Sequence, residues 1–490
     1  MNWLVISWMK NKPVLIGIGN IQQKTNFYEL DEALILMDKA TKLAIKDSSP
    51  AITKYIDEIR IPKGFWTYRD PGKWIAKYNN FKKRPITYVS KIGILQQSLI
   101  NAAIKKIQEG EIKASLIIGG EARYKMIQAL KNNLEFHETK LVNNPDFYLK
   151  ADSELHLKEE VNALGYMAVG YYAMIENAAR NFHNIDINEH KKELSQLYSE
   201  FSKLASKNTN AWTNKTYSAK TIATVSKNNT YQAFPYNKLH CTSWNVNQAS
   251  ALILCNEDIA DKLNIPQNKR IYPLISSENN HMIPLLQRSN FYQPLGMQLA
   301  ANAILDFLKI NNLHIDLFDL YSCFPIAIKM FARSLGIKTN HTNTITGGMS
   351  FAGGPLNHYL LNSTAQMAQK LRNTNNSIGL ITGVSGVMSK QSFSLWSKQK
   401  LTDFRHIDIS EDSKFLDRPV AISKKSDGIA KIISYTVILK RNNQKQVIIY
   451  ADDEDKKRIV LTSCDLVLVK KMESDNLIGS NIKFKDNKVI

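Results

Sequence analysis

A layered α/β body with two related halves, followed by a small antiparallel barrel or sandwich, is the fold class this sequence predicts. Three observations carry it. The same helix–strand–glycine unit occurs over residues 98–121 and again over 359–386, far apart in one chain. Between such units, short branched apolar runs read as strands buried on both faces, so each half should hold a mainly parallel sheet covered by helices. After Trp396 the composition changes, and from Ile429 apolar residues alternate in short runs separated by polar turns.

Taken in order, Pro13 to Gly19 is a buried strand, and Glu29 to Lys46 carries Leu34, Ile35, Ala40, Leu43 and Ile45 at helical spacing. Ser98 to Glu109 places Ile100, Ala103, Ile104 and Ile107 on one helical face, with Gly110 where a helix end wants a left-handed residue. Ala114 to Ile118 is a strand closed by Gly119-Gly120-Glu121. Residues 150–230 break this rhythm. Amphipathic patterns over Tyr166 to Phe182 and His190 to Ser206, then a polar stretch from Lys207 to Asn229, read as an inserted helical lid or, equally, as a structural excursion without ligand contact. Ala249 to Leu254 re-enters the core as helix or strand.

Gly296 to Lys309 is amphipathic, and Leu313 to Leu320 leads into Tyr321-Ser322-Cys323-Phe324-Pro325 and a helix over Ile326 to Leu335. The second copy of the unit follows: a helix over Tyr359 to Arg372, a strand over Ile378 to Thr382, then Gly383 to Gly386. The tail reads as strands over Ile429 to Leu439, Val447 to Tyr450, Arg458 to Leu461 and Leu466 to Val469. The spacing gives segments 1–149, 150–230, 231–400 and 401–490.

The densest chemical signal is Gly347 to Tyr359, where four glycines and a proline precede a helical pattern. A helix N-terminus placed there offers unpaired N–H groups to a phosphate, a carboxylate or a developing oxyanion.

Composition excludes several classes. Four scattered cysteines, Cys241, Cys255, Cys323 and Cys464, form no disulfide framework, and without a C-x-x-C pair no metal is expected; a reducing cytoplasm fits. No apolar run approaches the ~18 to 20 residues of a membrane span. The net charge of +20 is spread along the chain rather than gathered in arginine-rich blocks. Residues 401–490 hold 17 Lys and Arg against 14 Asp and Glu, too balanced for a nucleic-acid-binding barrel, so no nucleic acid is expected. Met9 reads as a more natural start, with residues 1–8 as a disordered extension.

The duplicated halves, Gly119-Gly120-Glu121, Tyr321-Ser322-Cys323-Phe324 and Gly347-Gly348-Met349 together resemble the thiolase superfamily, most closely the type 1 thiolase-like proteins. Glu176-Asn177-Ala178-Ala179-Arg180, Asn210-Ala211-Trp212 and Trp244 to Ala249 agree with it. The resemblance implies two βαβαβ-type halves in five layers, α-β-α-β-α, with a C-terminal barrel similar to an OB fold, and an acetyl-CoA acetyltransferase-type protein acting on or binding acyl-CoA. The coenzyme A thioester would be substrate or ligand, with no other cofactor, and the assembly a homodimer or a complex with a partner protein docked on the barrel.

Thiolases need a nucleophilic cysteine before a helix, an activating histidine, a second cysteine and an oxyanion hole. The resemblance places the nucleophile at Gly93 or Ile94, the histidine within Gly353-Gly354-Pro355 and the second cysteine at Val384, before Ser385 and Gly386. Of the oxyanion motif, Cys323 and Phe324 agree while Tyr321 and Ser322 differ. An acyltransferase would therefore work through Cys323, whose place before a helix favours its thiolate, with Tyr321 as donor and His358 as base. A binding protein would keep Gly93, Gly347, Gly348, Gly353, Gly354, Asn357, Ser385 and Gly386 as a cradle for acyl-CoA. A scaffold that docks a partner through its barrel is the remaining reading.

Overall fold

The computed structural model describes residues 11–375, 377–440 and 442–490; the expected start at Met9 and the extension over residues 1–8 lie outside the described residues. Two helices, Gln96–Gln108 and Tyr359–Arg372, form the middle of the body. Each carries apolar residues around much of its surface, and such a helix is stable only when buried. Leu99, Ile100, Ala103, Ile104 and Ile107 of the first share one cluster with Leu360, Leu361, Ala365, Ala368 and Leu371 of the second. Truncating one of these leucines or isoleucines to alanine costs ~2–5 kcal/mol.

A six-stranded sheet lies on one side, in the order Pro13–Gln22, Asn247–Asn256, Ala114–Ala122, Ile56–Pro62, Ile86–Ser90, Phe147–Leu149. On the other is a five-stranded sheet, in the order Leu317–Asp319, Ile378–Ser385, Lys390–Ser397, Tyr272–Asn279, Arg405–Asp408. Helix Ala33–Asp47 covers the outer face of the first sheet, with Leu36, Met37 and Ala40 against Ile118, Ala249 and Ala251. Helices Leu295–Ile310 and Pro325–Ser334 cover the second, where the Phe331 and Phe393 rings meet edge-on at 5.2 Å. Five layers result.

Three expectations are corrected. The second sheet is mixed rather than mainly parallel: Lys390–Ser397 runs antiparallel to both of its neighbours. Ile378–Ser385 turns straight back over residues 386–389 as a hairpin, which only an antiparallel pair permits. Gly119-Gly120-Glu121 does not close its strand but lies within it. Leu466 to Val469 belongs to a helix, Leu466–Ser474, whose N-cap Asp465 accepts from the Leu468 amide and whose Val469 and Met472 are buried one turn apart.

The C-terminal region closes into a five-stranded barrel of Asp427–Leu439, Lys445–Asp453, Arg458–Ser463, Lys488–Val489 and Asn481–Lys485. The body sheet takes its last strand, Arg405–Asp408, beyond residue 400. Residues 150–230 supply helices Ala168–Phe182 and Ile187–Ser206. The first lies in the interior between body and barrel: Asn177 Nδ2 donates to the Phe234 and Tyr435 carbonyls, and Ser434 Oγ donates to that of Met174.

Candidate functional site

The glycine stretch forms a tight turn beneath helix Ile187–Ser206. Gly347 has φ +94°, and a Cβ there would lie 2.4 Å from the Ala205 amide nitrogen. Gly348 lies under the Phe201 ring, and the Met349 amide donates to Ser322 Oγ at 3.0 Å. Gly354 donates to the Ser243 carbonyl, while Gln248 Nε2 holds the Ala352 carbonyl at 3.0 Å and lies where a Cβ on Gly353 would point. Thr242 joins this wall to the cysteine loop, donating to the Cys323 carbonyl at 2.8 Å. The turn therefore brings together Tyr321, Cys323, Gly347, Gly348, Gly353 and Gly354.

The helix that follows does not offer its N-terminus to a ligand as expected. Its Leu360 amide donates to Gln96 Oε1 at 2.7 Å, a side chain from the other central helix. Asn357, at φ +63°, donates from Nδ2 to the Lys63 carbonyl.

The three residues expected to carry chemistry are set against it. Cys323 is 7% exposed beside Phe324, whose ring stacks on Tyr172 at 4.5 Å and on Tyr236 at 5.5 Å. Burial in this aromatic packing pushes its thiol up to about 12, although the Phe324 amide and the Tyr172 hydroxyl favour the thiolate. The expected help from the helix start is outweighed by desolvation. Tyr321 is likewise pushed up by burial and then by the nearby Cys323. His358, the expected base, is fully buried, with its Cβ against Gly119. Neither ring nitrogen meets hydrogen-bond geometry, and desolvation lowers its pKa to about 3. An imidazole there stays neutral at physiological pH.

Gly93, Ser385 and Gly386 lie in a second place. Gly93 abuts Ala151, Gly386 abuts Met282, and Ser153 Oγ donates to the Met282 carbonyl, so one continuous wall links the two loops. The hairpin turn here is left-handed at Gly386, Val387 and Met388. Left-handed backbone at a branched valine costs about 1–3 kcal/mol and persists only when the surroundings enforce it. The buried Arg288 does so, donating to the Gly386, Val387 and Ile283 carbonyls at 2.7–3.0 Å.

Sequence reasoning missed the polar residues around this second loop. Ser98, in the first turn of Gln96–Gln108, donates to Glu278 Oε2 at 2.6 Å, and His406 Nε2 lies 2.9 Å from Glu278 Oε1. Lys390, directly across the hairpin from Ser385, is 4% exposed. Their only trace in the sequence is a single charged residue at or near the end of each of two short runs, Glu278 in Tyr272–Asn279 and Lys390 in Lys390–Ser397.

A cavity of about 850 Å³ opens elsewhere, between helices Ala168–Phe182, Ile187–Ser206 and Pro325–Ser334. At its floor, Glu176 accepts from Tyr236 OH at 2.6 Å, His190 Nε2 at 2.8 Å and Lys329 Nζ at 3.3 Å. Lys329 and these hydrogen bonds outweigh burial and hold its carboxyl down at about 2, while burial lowers His190. Neither a group of residues suited to a metal ion nor a helix long and apolar enough to cross a membrane occurs among the described residues.

No family model and no curated protein matches the sequence. Solved structures do. A monomeric SCP2-thiolase like protein type 1 from Mycobacterium smegmatis aligns over 98% of this chain and 99% of its own at TM-score 0.81 and 22% identity. The fold is a thiolase fold. The acetyl-CoA acetyltransferase from Syntrophomonas wolfei aligns over 79% of this chain and 99% of its own, at TM-score 0.54 and 15% identity. Human mitochondrial 3-ketoacyl-CoA thiolase in complex with CoA covers 79% and 98%, at TM-score 0.54 and 16% identity. The thiolase fold thus accounts for the duplicated halves.

Proposed function

We propose that this thiolase-fold protein binds acyl-CoA without the cysteine-dependent acyl transfer of thiolases. The observation that carries this reading is the state of the expected catalytic groups. Gly93 and Ile94 stand where the nucleophile is expected, Cys323 is held as a thiol by burial, and His358 is neutral and sealed. A thiol at about 12 and an imidazole at about 3 cannot exchange a proton usefully near neutrality. Solved thiolases of the same fold, one of them in complex with CoA, support coenzyme A thioesters as the ligand class. A net charge of +20 suits an anionic ligand, and four unpaired cysteines suit a reducing compartment such as the cytoplasm.

Calorimetric titration with acetyl-CoA and a longer acyl-CoA, followed by intact-mass measurement, tests this. Saturable binding with no mass gain is expected, and Cys323→Ala should bind equally well. Acylated Cys323 would turn the reading into a rewired acyltransferase. Absence of binding would discard the CoA ligand and favour a scaffold that docks a partner protein.

A further inference from the structure

Lys390 begins strand Lys390–Ser397, whose pairings place Ser385 opposite Lys390 and Glu278 opposite Ser392. Cross-strand partners and alternate residues share a face, so Ser385, Lys390, Ser392 and Glu278 point the same way. That face looks into the central layer, because Ser98 of the central helix reaches Glu278 there and Leu360 of the other lies against Gly383. The lysine thus emerges near the first turn of Gln96–Gln108, close to the loop that carries Gly93. Ser98, Asn280 and Ser385 are partly exposed around it, and Asn280 Nδ2 donates to Ser98 Oγ at 3.5 Å.

As a residue Lys390 is 4% exposed, and no hydrogen bond or ion pair to its ammonium occurs among the described residues. Glu278 is already engaged by Ser98 and His406, and Asp152 and Glu278 act on the lysine only through their field. A lysine this largely withdrawn from water and left unpartnered is favoured to lose its proton or to find a partner. A ligand anion is a poor partner, because two carboxylates already share the space. Burial lowers the lysine pKa despite both carboxylates, which raises the fraction of neutral amine.

We propose that Lys390 is an amine nucleophile that forms an imine with a ketone carbonyl seated at the start of helix Gln96–Gln108. This rests on the acyl-CoA reading for its substrate class, a 3-oxoacyl thioester. The neutral Nζ adds to the ketone carbon, and the carbonyl electron pair moves to oxygen, which takes up a proton. The carbinolamine then loses water to leave C=N; the thioester is untouched, no electrons are exchanged, and no co-reactant is needed. Glu278, oriented by Ser98 and His406, is the group placed to pass protons in the dehydration.

The test incubates the full chain with acetoacetyl-CoA and sodium cyanoborohydride, which reduces an imine to a stable secondary amine, and maps the adduct by peptide mass spectrometry. The expected result is labelling at Lys390 several-fold above the mean of the other lysines, because burial favours its neutral amine, and its loss in Lys390→Met. Labelling spread over surface lysines and retained in Lys390→Met, or no labelling, overturns the proposal. If Lys390→Met does not fold, wild-type labelling at falling pH decides: Lys390 should keep reacting at a pH where surface lysines have stopped, and parallel profiles overturn the proposal. Butyryl-CoA, which lacks the ketone, separates the two claims. Butyryl-CoA binding without trapping sinks only the imine. Trapping of the acetoacetyl thioester of N-acetylcysteamine, with no binding of any acyl-CoA, sinks only the CoA reading.

Discussion

The two central helices come from matching units of sequence, yet their first turns have opposite fates. At the start of Tyr359–Arg372 the Leu360 amide is taken by Gln96, His358 is sealed against Gly119, and the glycine turn before it is roofed by Phe201 and Ala205. At the start of Gln96–Gln108, Ser98 is partly exposed and feeds a polar group of Glu278, His406 and Lys390. Duplication supplies two helix N-termini, and packing decides which of them a ligand can reach. Here one has become an internal fastening between the halves.

If the second helix start is truly sealed, thiol labelling at pH 8 should show the largest contrast. A thiol near 12 is roughly a thousandfold poorer in thiolate than an ordinary one. Cys323 in the folded chain should therefore react with iodoacetamide about that much more slowly than in the chain unfolded in urea, and equal rates would mean the site is open. Gly119→Val should be next. Its Cβ would lie 2.3 Å from that of His358, and such overpacking costs ~3 kcal/mol. A denaturation midpoint unchanged from wild type would show that His358 can move aside.

Two capping substitutions set the helix starts against each other directly. Gln96→Ala leaves the buried Leu360 amide without its partner and should cost ~2 kcal/mol. Ser98→Ala, at the partly solvated start, should cost nearer ~1 kcal/mol. Equal losses in urea titration would erase the distinction. A further effect is in pH. His358 is neutral in the fold down to about 3, whereas the unfolded histidine takes up a proton below ~6.5. Its contribution is level above ~6.5, and stability falls by up to ~1.4 kcal/mol per pH unit as pH drops from there toward 3. Melting temperatures between pH 7 and 5 should fall less steeply in His358→Gln, and parallel slopes would place the histidine in water.

Local pattern was enough to read the framework. The bounds of Tyr359–Arg372 are legible because its apolar period and preceding glycines are contiguous in sequence. The tail strands Arg458 to Leu461 and Ile429 to Leu439 were legible for the same reason. Leu466 to Val469 reads as a strand yet is helical, because a four-residue apolar run fits either period and only the Asp465 cap distinguishes them. The burial of His358 depends on Gly119, and the placement of Lys390 depends on pairing with Ser385 and on a helix nearly three hundred residues earlier. Such partners are set by topology, which periodicity does not encode.

The contact between helix Ala168–Phe182 and barrel strand Asp427–Leu439 has a consequence during synthesis. The helix leaves the ribosome early, with Asn177, Met174 and an apolar face all awaiting a strand about 250 residues downstream. At about 5–20 residues per second the wait is roughly ten to fifty seconds. Throughout it the nascent body carries an uncovered surface that chaperones can hold and that premature termination would leave permanently bare. The barrel is therefore the closing piece of the body's own assembly, and a chain cut before Asp427 should be found aggregated or degraded rather than as a smaller working protein.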